Sequence, residues 1–252
     1  MSTDNSGGRT TLEEAGYLSG SAGVLRDHIR ARHGALLREC SVASRTAMAV
    51  MGKGIAGPAH HRVALAAWLR SITACQAAVL LAERGLVIES VAILRTGFEQ
   101  LFYAQALLKD PVVLERLRDQ DDYERQTTAR RALANADVDT VIGTSQRHAL
   151  EGMLQGAAGN KRISVFEAAE IAGLAALYQT TYRQLSLVGA HATYTTIGKS
   201  FGESIFELQL IQDTEELPLV LGHIRDCLRL GSAAFLALQA PQEDSSADDA
   251  TN

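Results

Sequence analysis

LVIESVAILRTGFEQLFYAQALLK, residues 86–109, decides the fold. Ile88, Val91, Leu94, Phe98, Leu101 and Phe102 recur at spacings of three and four, which predicts a helix from Leu86 to Lys109 that is apolar nearly all round. Such a helix belongs at the centre of a bundle, so its charges need a reason to be there. At roughly 100° per residue, Arg95 projects between Ile88 and Phe102, and Glu99 lies one turn further on. Arg before Glu is the weaker order for an exposed pair, which argues against an ordinary surface salt bridge. Two readings stay open: a partly buried ion pair that ties this helix to a neighbour, or a guanidinium and carboxylate facing a cleft.

Outward from this segment the prolines punctuate the chain, because the ring is tolerated in the first turn of a helix or just past its end but not inside. Pro58, after the link MGKGIAG, opens a predicted helix to Arg84, and Pro111, after the capping candidate Asp110, opens one to Asn135. Pro218 falls in the first turn of a final helix from Asp213 to Ala240, which Pro241 ends. Helices are also expected from Ser21 to Met51, from Asp139 to Gln155, and from Ser164 to Val188, the last opened by a Ser164–Glu167 capping box. Thr193 to Ile197 and Ser204 to Leu210 are β-branched or alternating, with Gly198 and Gly202 between them. They fit a small β-hairpin near residues 193–210 or, as two strands alone are marginal, irregular chain on the bundle. The fold expected is all-α: a single multi-helix bundle over 12–240, between disordered ends at 1–11 and 241–252.

Composition agrees with this class. Of 252 residues 46% are hydrophobic and 5% aromatic, rich in Ala and Leu, which favours helix over strand. A net charge of -5 and a pI near 5.8 give no overall electrostatic footprint for nucleic acid. Cys40, Cys75 and Cys227 lie far apart with no CxxC pair, as expected of buried small hydrophobes in a reducing compartment, so a cytoplasmic location is expected. The first residues lack the basic and apolar regions of a signal peptide. The most apolar stretch, Val79 to Leu108, is interrupted by Glu83, Arg84, Glu89, Arg95 and Glu99, so no membrane association is expected.

The helix after the capping box carries a second set of polar candidates. Read unbroken, it places Glu167, Glu170, Ile171, Leu174, Tyr178, Tyr182, Leu185 and Ser186 along roughly one face. Glu167 is accounted for by the capping box and Glu170 by the helix dipole; Tyr182 and Ser186 fit amphipathic core residues that hydrogen-bond locally. His191 lies just past Gly189, where the helix can break, and reads either as a cap or as an acid, base or ligand.

AILRTGFEQLFYAQALL and ISVFEAAEIAGLAALYQTTYRQLSLVGAHATY together resemble a bacterial family, domain of unknown function number 5677, over roughly Val63 to Thr196. The resemblance rests on an Arg-x-x-x-Glu on a central helix and a later Tyr-x-x-x-Ser followed by a His. Here these are Arg95, Glu99, Tyr182, Ser186 and His191. It implies a helical bundle with a polar cluster and no established activity.

Stronger signatures are missing. The sequence has no ExxH pair for a di-metal bundle and no HExxH, P-loop or GxSxG; His60 and His61 are adjacent and point to different helix sides. No cofactor is therefore expected. Helical HEPN-type nucleases share the architecture; their hallmark is an Arg and a later His with about four to six residues between them, the imidazole moving a 2′-hydroxyl proton while the guanidinium steadies the phosphate. Arg26 and His33 have six residues between them, whereas Arg183 and His191 have seven and miss that spacing. The leading expectation is an interaction or binding module, a homo-oligomer or the partner of another protein, with enzyme status open. The alternatives are a HEPN-like ribonuclease of a toxin or phage-defence system, the only reading with RNA as partner, and a ligand- or metal-binding bundle using Glu99, Glu170 and His191.

Overall fold

The computed structural model describes residues 11–54, 57–135, 140, 142–155, 162–189, 193–201, 204–207, 209 and 215–239. Both expected disordered ends, at 1–11 and 241–252, lie outside these residues apart from Thr11, which caps the first helix. In chain order the elements are α1 (Leu12–Ala15), a 3-10 turn (Gly16–Leu18), α2 (Ala22–Gly52), α3 (Ala59–Ala82), α4 (Val87–Lys109), α5 (Val112–Leu133) and α6 (Thr144–Met153). They continue with α7 (Val165–Ala172), α8 (Ala175–Leu177), a π turn (Tyr178–Tyr182), α9 (Arg183–Gly189), α10 (Tyr194–Gly198) and α11 (Leu217–Gln239). The described chain is all-helical, as the composition requires.

α4 is the axis of the molecule. Phe98, Leu94, Leu101, Phe102, Ala104, Ala106 and Leu107 on it are fully buried, because neighbours cover it on two sides. α3 and α11 pack on one, α7 and α9 on the other. The α3–α4 hairpin turns through Gly85, whose φ of 79° needs a residue without a Cβ. Its two helices approach through small residues: the Ser71 hydroxyl donates to Gly97 O at 2.8 Å and the Ser90 hydroxyl to Ala78 O at 2.9 Å, so both buried serines are satisfied. α11 closes this side, stacking Phe235 on Trp68 with ring centroids 6.0 Å apart. α2 lies outermost and runs alongside α11 in the same direction. Cys40 Sγ donates to Leu221 O at 3.2 Å, Arg225 pairs with Glu39 at 2.8 Å, and Gln239 Nε2 reaches Val50 O at 3.2 Å.

α3 is long and apolar enough, by length and composition, to cross a membrane, the one such helix among the described residues. In the bundle its stripe of Ala64, Trp68, Ser71, Ile72, Cys75, Ala78 and Ala82 is buried against protein. All three cysteines are buried and free. Burial pushes the Cys40 thiol up to about 11, which keeps it protonated and unreactive.

Two sequence expectations are corrected. The segment read as a hairpin is not one: Tyr194 to Gly198 form a short helix whose N-cap, Thr193, accepts from Thr196 N at 3.1 Å, and the described residues hold no strand beyond an isolated bridge position at Phe201. A capping threonine overrode the β preference of the residues behind it. The helix from Ser164 to Val188 is not continuous either. It stops at Gly173, in the left-handed conformation with φ 74°, where Leu174 N donates to Ala169 O at 2.7 Å, and helix resumes at Ala175. The capping box itself is present, with Ser164 Oγ accepting from Glu167 N and Glu167 accepting from Ser164 N at 2.8 Å.

Candidate functional site

The break at Gly173 builds the site. Lys109, at the end of α4, donates to the last carbonyl of α7 at Ala172, which fixes where the chain turns. Beyond it a π turn spans Tyr178–Tyr182, and Tyr178 and Tyr182, four residues apart on one side of it, stack with ring centroids 5.0 Å apart. Both face Phe102 of α4, at 6.2 and 5.7 Å, and Phe166 of α7 closes the ladder at 5.1 Å from Tyr178. These aromatic residues orient the polar groups above them.

Arg95 is the hub. Its Nε donates to Ser186 Oγ at 3.0 Å, its Nη2 to Tyr182 Oη at 2.6 Å, and its Nη1 lies 3.2 Å from Glu99 Oε2. The Tyr182 hydroxyl in turn donates to Glu99 Oε2 at 3.0 Å, and Ser186 Oγ donates to Tyr182 O at 2.8 Å. The guanidinium carbon also sits 5.0 Å from the Tyr182 ring centroid. Four of the five residues singled out in the sequence thus meet, on α4 and on the π turn and α9; the fifth, His191, lies outside the described residues. Arg95 and Glu99 keep 29% and 27% of their side chains exposed, so the cluster sits at the edge of the core and not inside it.

Each hydroxyl proton already has a destination. Burial, followed by the negative charge of Glu99, raises the Tyr182 pKa, so the phenol stays neutral and acts as a hydrogen-bond relay. Ser186 spends its proton on its own helix, and no described base lies at its oxygen. Arg95 uses three of its five N–H groups within the cluster, which leaves two, together with Glu99 Oε1, for a neighbour outside it.

The other sequence candidates lie elsewhere. Glu167 pairs with Arg116 of α5 at 2.9 Å; the Ser164 backbone N–H first, then Arg116, holds its carboxyl down at about 2. Glu170 is exposed on α7, and among the described residues no three metal-ligating side chains gather; His191, the third member of the set with Glu99 and Glu170, lies outside them. His33 belongs to the buried stripe of α2, at a kink with φ -115° and ψ 15°, and burial lowers its pKa; Arg26 pairs with its neighbour Asp27, at 3.7 Å. Arg183 bonds Gln179 at 3.2 Å on an exposed face.

Three contributors were not singled out in the sequence. Phe166 and Arg116 are anchors whose partners are distant in the chain, and no local pattern announces them. Gly189 had a readable signal as a small residue at a helix end, yet its role is packing: a Cβ there would sit 2.7 Å from the backbone N and Cα of Ala92, one turn before Arg95. α9 crosses α4 backbone against backbone at this point, which sets Ser186 within reach of the guanidinium.

No curated protein and no solved structure matches the chain. The sequence pattern of a family described as a family of unknown function, DUF5677, matches residues 61–207, more than half of the chain and the whole of the α4–α9 cluster as described. The Arg-x-x-x-Glu and Tyr-x-x-x-Ser whose hydrogen bonds join these helices therefore lie within a chain that belongs to the DUF5677 family.

Proposed function

We propose that this protein is a self-associating helical interaction module, in which the Arg95 cluster is a latch and not a catalytic centre. The observation that carries the reading is the set of exposed apolar side chains among the described residues at the end of α9 and after it. Leu187, Tyr194, Ile197, Ile205 and Phe206 are all exposed, Tyr194 to 81% and Phe206 to 93%. Exposed aromatic and aliphatic side chains gathered along one stretch favour a protein contact over open water. The latch holds the start of this stretch on α4 through Ser186 and Tyr182, and so presents it in a defined direction.

A second copy of the chain is the occupant that fits. The stretch from Leu187 to Glu207 carries three formal charges in 21 residues, Lys199, Glu203 and Glu207, and Lys199 is paired with Glu216, so two such faces meet across a two-fold axis with little charge to desolvate. The neutral Tyr182 and the committed Ser186 proton support binding over acid–base chemistry.

Sedimentation equilibrium across micromolar concentrations tests this. The chain should associate, and Tyr194→Ser with Phe206→Ser should shift it to monomer with its helical content and melting temperature retained. A monomeric parent chain, or a double variant that associates equally well, would overturn the reading.

A further inference from the structure

The outer side of the molecule, where α2 runs beside α11, carries a groove outside the family-matched residues 61–207. Two adjoining depressions of about 270 and 350 Å³ share Val42 and Arg229. Their apolar lining is Ala35, Val42, Ala43, Ala233 and Leu236. Along α2, Arg38, Val42 and Arg45 follow at spacings of four and three; along α11, Arg229, Ala233 and Leu236 do the same. The α2 row thus sets Val42 between two guanidinium groups, and the α11 row sets Ala233 and Leu236 beside one.

The charges choose the occupant. Arg38 and Arg229 are exposed and form no ion pair among the described residues, and Arg45 bonds only the Ser41 hydroxyl, at 3.3 Å. The groove's carboxylate, Glu39, is already taken by Arg225 at 2.8 Å. A basic groove on a chain of net charge -5 is a local reversal of sign and not a consequence of composition. A second copy does not suit it, because a two-fold axis would set arginines against their own twins. A bilayer suits it less than a helix does, because the apolar side chains line depressions between two helices and do not stand on a projecting amphipathic face.

We infer that the α2–α11 groove binds an acidic amphipathic helix of a partner protein. The partner helix would lay an i, i+4, i+7 apolar stripe over Val42, Ala233 and Leu236 and place Glu or Asp beside that stripe against Arg38, Arg45 and Arg229. This surface is separate from the one proposed for self-association, and either can fail without the other.

The test uses the full chain and two synthetic helical peptides with one leucine–alanine stripe, flanked by glutamates in the first and by lysines in the second. Fluorescence anisotropy should show the glutamate peptide binding in a salt-sensitive manner. Its affinity should fall at least about tenfold in R38E/R229E and in Val42→Asp, with unchanged thermal melts because all three positions are exposed. Hydrogen exchange with bound peptide should protect residues 35–46 and 229–236. Equal binding of the lysine peptide, or an undiminished affinity in R38E/R229E, would overturn the proposal. So would binding of the parent chain to phosphatidylserine vesicles, but not to the glutamate peptide, or an R38E/R229E change in oligomeric state without an effect on peptide binding.

Discussion

Arg95 shows how one side chain can be legible in sequence as to position and illegible as to role. Its place on an apolar helix face and the i, i+4 partner Glu99 follow from helical geometry alone. What it does depends on Ser186 and Tyr182, more than eighty residues away in the chain, which divide its N–H groups among three acceptors. Removing it should cost both the bonds and the compensation of Glu99. Arg95→Ala is expected to destabilise the fold by about 1–3 kcal/mol, a range discounted for the group's partial exposure. Arg95→Lys should recover less than half of that loss, since a point ammonium cannot serve Ser186 and Tyr182 in fixed fork geometry. Urea unfolding of the three chains measures this; an Arg95→Ala chain as stable as the parent would show that the circuit holds nothing. His33 makes the opposite case. An Arg–His spacing on a helix is easily read in sequence, but the imidazole sits in the buried stripe of α2, and its Nε2 meets no hydrogen-bond partner among the described residues.

At the scale of elements, the stop and start signals proved more informative than periodicity. Asp110 accepts from Val112 N at 2.9 Å at the start of α5, and the Ser164–Glu167 box opens α7, both as the sequence indicates. Periodicity failed between Ile171 and Tyr182, where apolar residues continue at helical spacing through a left-handed glycine and a π turn. The cue was present in the Gly173–Leu174 pair, a terminating glycine with an apolar residue behind it, but a pattern that continues on both sides conceals the break. The crossing of α9 over α4 supplies the prediction at this scale. Gly189→Ala would force a methyl into the backbone of Ala92, so α9 must move away from α4. A loss of about 1–3 kcal/mol is expected, as for other overpacked contacts, together with weaker coupling between Arg95 and Ser186 in a double-mutant cycle. Additive effects of R95A and S186A in the glycine parent would remove the basis for this account.

For the molecule as a whole, the family-matched segment depends on helices that lie outside it. Trp68 of α3 is fully buried because Phe235 of α11 stacks on it and because Gly231 leaves its ring room; a Cβ at that glycine would lie 2.1 Å from the indole. A chain reduced to residues 57–207 would expose Trp68, Ile72 and Cys75 to water. It is expected to lose cooperative unfolding and to bind hydrophobic dyes, whereas adding back α2 and α11 should restore a single sharp transition by circular dichroism. A reduced chain that melted as sharply as the full one would mean that α2 and α11 are appended to the core and not part of it. By itself, the sequence determined that the chain is helical, that residues 86–109 form its axis, and that Arg95 and Glu99 share one face, because these follow from spacing along a helix and from the scarcity of strand formers. Only the tertiary structure decided that the later helix breaks at Gly173, that Tyr182 and Ser186 close a circuit on Arg95, and that α2 and α11 leave a basic groove between them. Those outcomes depend on contacts between residues far apart in the chain, and local spacing carries no record of which distant partner will supply a hydrogen bond or leave a charge unpaired.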